Sequence, residues 1–109
     1  MANRFDHPAV ADGDLVLAKD MREALTAAPL VFSDGARQRF TPNGKTTYVE
    51  HGHPSEGEWA VLTDGEFSSF WPPDYSARYA LRWIVENGKV TGLSFTELER
   101  GDRFVGVYE

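Results

Sequence analysis

Apolar positions along the chain follow two periods, and the change falls at Pro29. Before it, Leu17, Met21, Ala24, Leu25 and Ala28 recur three and four residues apart, with Lys19, Asp20, Arg22 and Glu23 among them. That spacing gathers the apolar side chains on one helical face and predicts a helix over about residues 14–28. Asp12 and Asp14 offer capping oxygens at its start. Pro29 stops it. After Pro29 the pattern changes to short runs typical of strands, at 30–32, 36–41, 45–51, 57–62, 66–71, 79–86, 89–98 and 103–108. Turn residues divide them: Asp34-Gly35, Pro42-Asn43-Gly44, Asp64-Gly65, Asn87-Gly88 and Gly101-Asp102. Residues 52–56 and the stretch from Pro72 to Arg78 read as loops.

Tight turns join antiparallel neighbours, so these runs should pair in sequence order as a meander. No strand–helix alternation occurs, and a parallel sheet is therefore not expected. The expected fold is mainly β: an antiparallel up-and-down meander of six to eight strands, forming a barrel or strongly bent sheet, with one N-terminal α-helix. Residues 1–13 read as a flexible lead-in and 14–109 as a single domain. The competing fold is the cone-shaped α+β fold typified by nuclear transport factor 2, which wants several helices before its sheet.

Alternation assigns faces. Tyr79, Leu81, Trp83 and Val85 share one face and should point inward, away from Ala80, Arg82, Ile84 and Glu86. Trp59 and Val61 share a face of their run. The run from Glu66 carries rings on both faces, Phe67 and Trp71 on one and Phe70 on the other. Such a strand should be covered twice, which points to a homodimer.

Composition then narrows the chemistry. Hydrophobic residues are 41% of the 109, enough for a packed core. Net charge is −6, which disfavours a phosphate backbone as partner, so no nucleic acid is expected. There is no cysteine, which excludes disulfides and thiolate chemistry. No apolar run is long enough to span a bilayer as a helix, and the first ten residues do not read as a signal peptide. A soluble, cytoplasmic protein with no membrane partner is the expectation, and Ala- and Arg-rich usage suggests a bacterial source.

His51-Gly52-His53, with Glu56 beyond, is the one metal-like pattern. In an extended strand both imidazoles would share a face, as in the metal motif of cupins. The spacing to Glu56 is short for that motif and only His7 remains as a third nitrogen, so neither metal nor cofactor is expected. Asp64 and Glu66 flank a hairpin tip, where carboxylates are usually solvated, and no catalytic residue is assigned.

Aromatic rings make up 13% of the chain, and seven of them fall between Trp59 and Trp83. They either fill a small barrel or wall a pocket. In the second case Trp59, Phe67, Trp71, Tyr79 and Trp83 would line it. Arg78 or Arg82 would hold an acidic group, and the Pro72-Pro73 loop with Tyr75 would form the rim. The Gly-x-Trp strand, Asp-Gly hairpin and aromatic strand, followed by further hairpins, resemble small bacterial lipocalin-like (calycin-type) proteins over residues 30–109. That resemblance implies an up-and-down barrel that binds a small apolar or acidic molecule. The alternative is a small isomerase or hydrolase on the cone-shaped fold.

Overall fold

Short turns between consecutive strands leave each strand one choice of neighbour, and a right-handed twist then brings the last strand back to the first. The computed structural model describes residues 10–109. One helix, α1 (Ala18–Thr26), precedes β1 (Leu30–Phe32), β2 (Arg37–Phe40), β3 (Lys45–Glu50), β4 (His53–Val61), β5 (Phe67–Trp71), β6 (Tyr75–Glu86), β7 (Lys89–Glu97) and β8 (Arg103–Tyr108). Each strand pairs antiparallel with the next, and β8 pairs with β1 through Leu30↔Tyr108. The result is a closed eight-stranded up-and-down barrel. The cone-shaped alternative therefore lacks its fold. Closure also removes the free sheet edge that would have favoured self-association.

Two stretches expected to be loops belong to strands. β4 begins at His53, because the turn before it needs only His51 and Gly52, both at positive φ (52° and 78°). His51 is therefore in a turn, and the two imidazoles do not share an extended face. β6 begins at Tyr75, opposite Trp71 across the Pro72-Pro73-Asp74 turn. Asn87-Gly88 forms the expected two-residue turn, with φ of 54° and 78°.

The helix is shorter than expected and begins later. After a turn at Asp12-Gly13, residues 14–16 are extended instead and lie along β6. Gly13 N–H donates to Trp83 O at 2.9 Å, Trp83 N–H to Asp14 O at 2.9 Å, and Val16 N–H to Leu81 O at 2.8 Å. The cause is a length mismatch. β5 pairs with β6 only as far as Tyr79, so the backbone groups beyond it need another partner. Asp12 and Asp14 do not cap the helix. Asp12 Oδ1 accepts from Val85 N–H at 2.9 Å, and Asp14 Oδ2 from Ala11 N–H at 2.9 Å. Most of the expected 1–13 lead-in lies outside the described residues, but residues 11–13 are fastened to the barrel. Among the described residues no helix is long and apolar enough to cross a membrane.

Met21, Ala24 and Leu25 of α1 are fully buried in one cluster with Phe40, Trp59, Leu81, Trp83, Leu93 and Tyr108. The helix thus closes the end of the barrel where β2, β4, β6 and β8 finish. Arg22 fastens it by donating to Pro42 O at 2.6 Å and lying 5.1 Å from the Trp59 ring centre. Trp59 Nε1–H is shared between Thr41 O and Lys45 O, each at 3.0 Å.

Tyr108 donates its hydroxyl proton to Ala24 O near the end of α1. Burial pushes its pKa well above 10, and the charge of Glu23 adds to the shift. The unfolded phenol ionises near pH 10 while the folded one stays protonated. This group therefore contributes stability below about pH 10 and loses it as pH rises further. Tyr108→Phe should lower stability by about 1–2 kcal/mol at pH 8. It should also flatten the fall in urea midpoint between about pH 9.5 and 11. An unchanged alkaline slope would mean that this hydroxyl is not the group being titrated.

Candidate functional site

The registers fix which side chains enter the barrel. Residues directly opposite one another share a face, so Phe67↔Tyr79, Leu81↔Phe95, Gln38↔Tyr48 and Phe40↔Thr46 all point inward. The interior divides into two halves along the barrel axis. The half under α1 is solid, with Trp83 1% and Trp59 5% exposed. Phe40, Phe67 and Phe95 form a layer above it, with ring centres 5.7 to 6.4 Å apart. Beyond that layer the interior is open. A cavity of about 550 Å³ reaches from Phe67 and Phe95 to the far end of the barrel.

Rings wall this cup. Phe32 meets Tyr48 and Phe95 at 6.3 and 5.9 Å, Tyr48 meets Trp71 at 6.3 Å, and Tyr79 meets Phe67 at 5.7 Å. Gly57 sits opposite Thr46 on the inner face of β4 and gives the Trp71 ring its place. A Cβ there would come within 2.5 Å of Trp71 Cε3. Phe104 on β8 stands at the mouth, 48% exposed. The charged residues lining the cavity, Asp34 and Arg103, lie beside the β1–β2 turn and at the start of β8, at the mouth.

Few polar atoms lie deeper. Gln38 Nε2 donates to Thr46 Oγ1 at 3.0 Å, and Thr46 Oγ1 donates to Arg39 O at 2.8 Å. Ser69 is 4% exposed and its Oγ has no hydrogen bond of ordinary geometry. Its neighbour is the Tyr79 hydroxyl, which it helps to stabilise when ionised. Burial outweighs that and raises the Tyr79 pKa, with a smaller push from Tyr75. Burial likewise raises Tyr48, assisted by the charges of Asp34 and Glu50. Both phenols are neutral at neutral pH.

The structure brings together three of the residues singled out from the sequence: Phe67, Trp71 and Tyr79 all line the cup. Trp59 and Trp83 do not, because they pack in the solid half. Arg78 lies on the outer wall, where it pairs with Glu66 at 2.9 Å, and Arg82 is outside too, donating to Gly13 O at 2.8 Å. Tyr75, expected at the rim with the Pro72-Pro73 loop, is exposed at the start of β6 and is not among the residues that line the cavity. His51 and His53 are both exposed. Glu56 accepts from Thr47 Oγ1 at 2.8 Å. His7 lies outside the described residues, and among those described no three His, Cys, Asp or Glu side chains converge on a metal position. Phe32, Gln38, Tyr48, Ser69, Phe95 and Phe104 are the cup residues that alternation within single strands did not single out. The two-residue turns were the available signal, since each fixes a register and carries the inward face of one strand onto the next.

Compared with family models, curated proteins and solved structures, the chain matches none.

Proposed function

We propose that this barrel is a lipocalin-like binding module that holds a small, ring-containing, largely apolar molecule in the cup. The observation that carries the reading is the cavity itself. Its volume of about 550 Å³ lies in the range of small-molecule sites, its floor is closed by packed rings, and its mouth is open. Rings give a flat apolar ligand both contact area and edge-to-face partners. Among the described residues, an acidic group on such a ligand would find its cation only at the mouth, at Arg103, because Arg78 and Arg82 are outside.

Trp71 provides the test, since Trp59 and Trp83 lie beneath the floor. A panel of small ring compounds should include members that quench or shift the tryptophan emission. Trp71→Phe should abolish most of that change. Emission unmoved by the whole panel, or a change that survives Trp71→Phe intact, would remove the cup as the site. The homodimer expected from the sequence has Phe70 as its remaining support, outward-facing on β5 and 37% exposed. Light scattering should then give twice the 12.2 kDa chain mass, and a mass near 12.2 kDa across dilutions would refute it.

A further inference from the structure

An apolar cup whose wall holds a fully buried polar atom without an ordinary hydrogen bond is selective in a definite way. Ser69 Oγ is inside the barrel, 4% exposed, and without a hydrogen bond of ordinary geometry. Leaving a buried hydroxyl unpaired carries a penalty that a polar ligand atom would remove. The Tyr79 hydroxyl is its neighbour and lines the same cavity. Among the described residues no cationic side chain lines the cavity away from its mouth; Arg103 is at the start of β8 and exposed. Gln38 has committed its amide nitrogen to Thr46.

We propose that the cup selects a neutral ring molecule carrying one hydroxyl or carbonyl oxygen, which sits between Ser69 Oγ and the Tyr79 hydroxyl. This rests on reading the cup as a ligand site, and it adds the ligand's polar group and charge. Each protein hydroxyl both donates and accepts, so a ligand hydroxyl can accept from one and donate to the other. A ligand carbonyl can accept from both. An anion gains nothing at that depth, because its lost hydration is not replaced by a positive charge. The Phe40, Phe67 and Phe95 layer sets how deep the ring can go. The chemical class is therefore a phenol-like or ring-carbonyl compound, neutral at the pH of binding.

The probes are naphthalene, 2-naphthol and 2-naphthoate, titrated by calorimetry into the wild-type chain, Ser69→Ala and Tyr79→Phe at pH 7. Wild type should bind 2-naphthol about fivefold more tightly than naphthalene, and 2-naphthoate more weakly than either. Ser69→Ala should bring the ratio of naphthol to naphthalene affinity close to one, and Tyr79→Phe should reduce it. Thermal melts of both variants establish that they fold. A naphthol advantage that survives both substitutions overturns the assignment of the polar pair and leaves the cup reading intact. So does a wild-type protein that does not distinguish 2-naphthol from naphthalene. A preference for 2-naphthoate overturns the neutral class. Binding of none of the three overturns the cup reading, and this inference with it.

Discussion

Gly92→Ala should lower the stability of the barrel by about 3 kcal/mol, for the addition of one methyl group. Gly92 on β7 lies opposite Val107 on β8. A Cβ at this position would run into the Gly106 carbonyl oxygen and would come within 3.1 Å of Val107 Cα. Both are backbone atoms, so relief requires moving β8 and not a flexible side chain. β8 is also the strand that closes the ring onto β1, and a shift there strains both of its ladders. Gly57→Ala is the informative comparison. Its Cβ would meet Trp71 Cε3 at 2.5 Å and Phe70 O at 2.7 Å. The ring can swing towards the open cup, but the Phe70 carbonyl belongs to the β5 backbone and must also give, so the stability cost should be about 2 kcal/mol, below that at Gly92. The ligand-dependent change in Trp71 emission should fall in the same variant. Urea midpoints measured side by side decide the matter. Equal costs at the two glycines would mean that β8 yields as easily as β5 and the Trp71 ring do.

The barrel was largely legible in the chain because its turns are. Asp34-Gly35, Asn87-Gly88 and Gly101-Asp102 mark reversals wherever glycine must take positive φ, and an unbroken series of reversals leaves only a meander. Closure was harder to see, since it depends on the twist accumulated over all eight strands and on no single residue. The extended segment at residues 14–16 was hidden for a different reason. Its helical spacing is real from Leu17 onward, but Asp14 to Val16 satisfy a β6 edge that exists only because β5 is five residues long and β6 twelve. Local propensity has no access to that mismatch.

The cup was half legible. Arg78 was open to exclusion by parity, because a strand that sends Tyr79 inward sends its neighbour outward. Ser69 carries no signal in the sequence. A serine between Phe67 and Trp71 becomes notable only when the registers bury it without a partner.

The three tryptophans divide by strand direction, and the division sets the second large effect. They are evenly spaced, twelve residues apart, and fall on β4, β5 and β6 in turn. Consecutive strands of an up-and-down barrel run in opposite directions. Trp59 and Trp83 come near the ends of β4 and β6, which finish under α1. Trp71 ends β5, which finishes at the mouth. Trp83→Ala should therefore cost about 3–5 kcal/mol, since it empties a site that is 1% exposed and cannot collapse around the loss. Against a total stability of about 5–15 kcal/mol, much of the protein should unfold on mild heating. Trp71→Ala removes the same side chain from a wall with open space beside it, so the cost should be about 1 kcal/mol. It should nevertheless weaken ring-compound binding at least tenfold, because the ligand loses its largest flat contact. Thermal melts and calorimetry on the two variants read both quantities. If Trp71→Ala proves as destabilising as Trp83→Ala, the open half of the barrel is packed in solution and holds no ligand. If Trp83→Ala is stable, the closed half is not the solid base on which the cup depends.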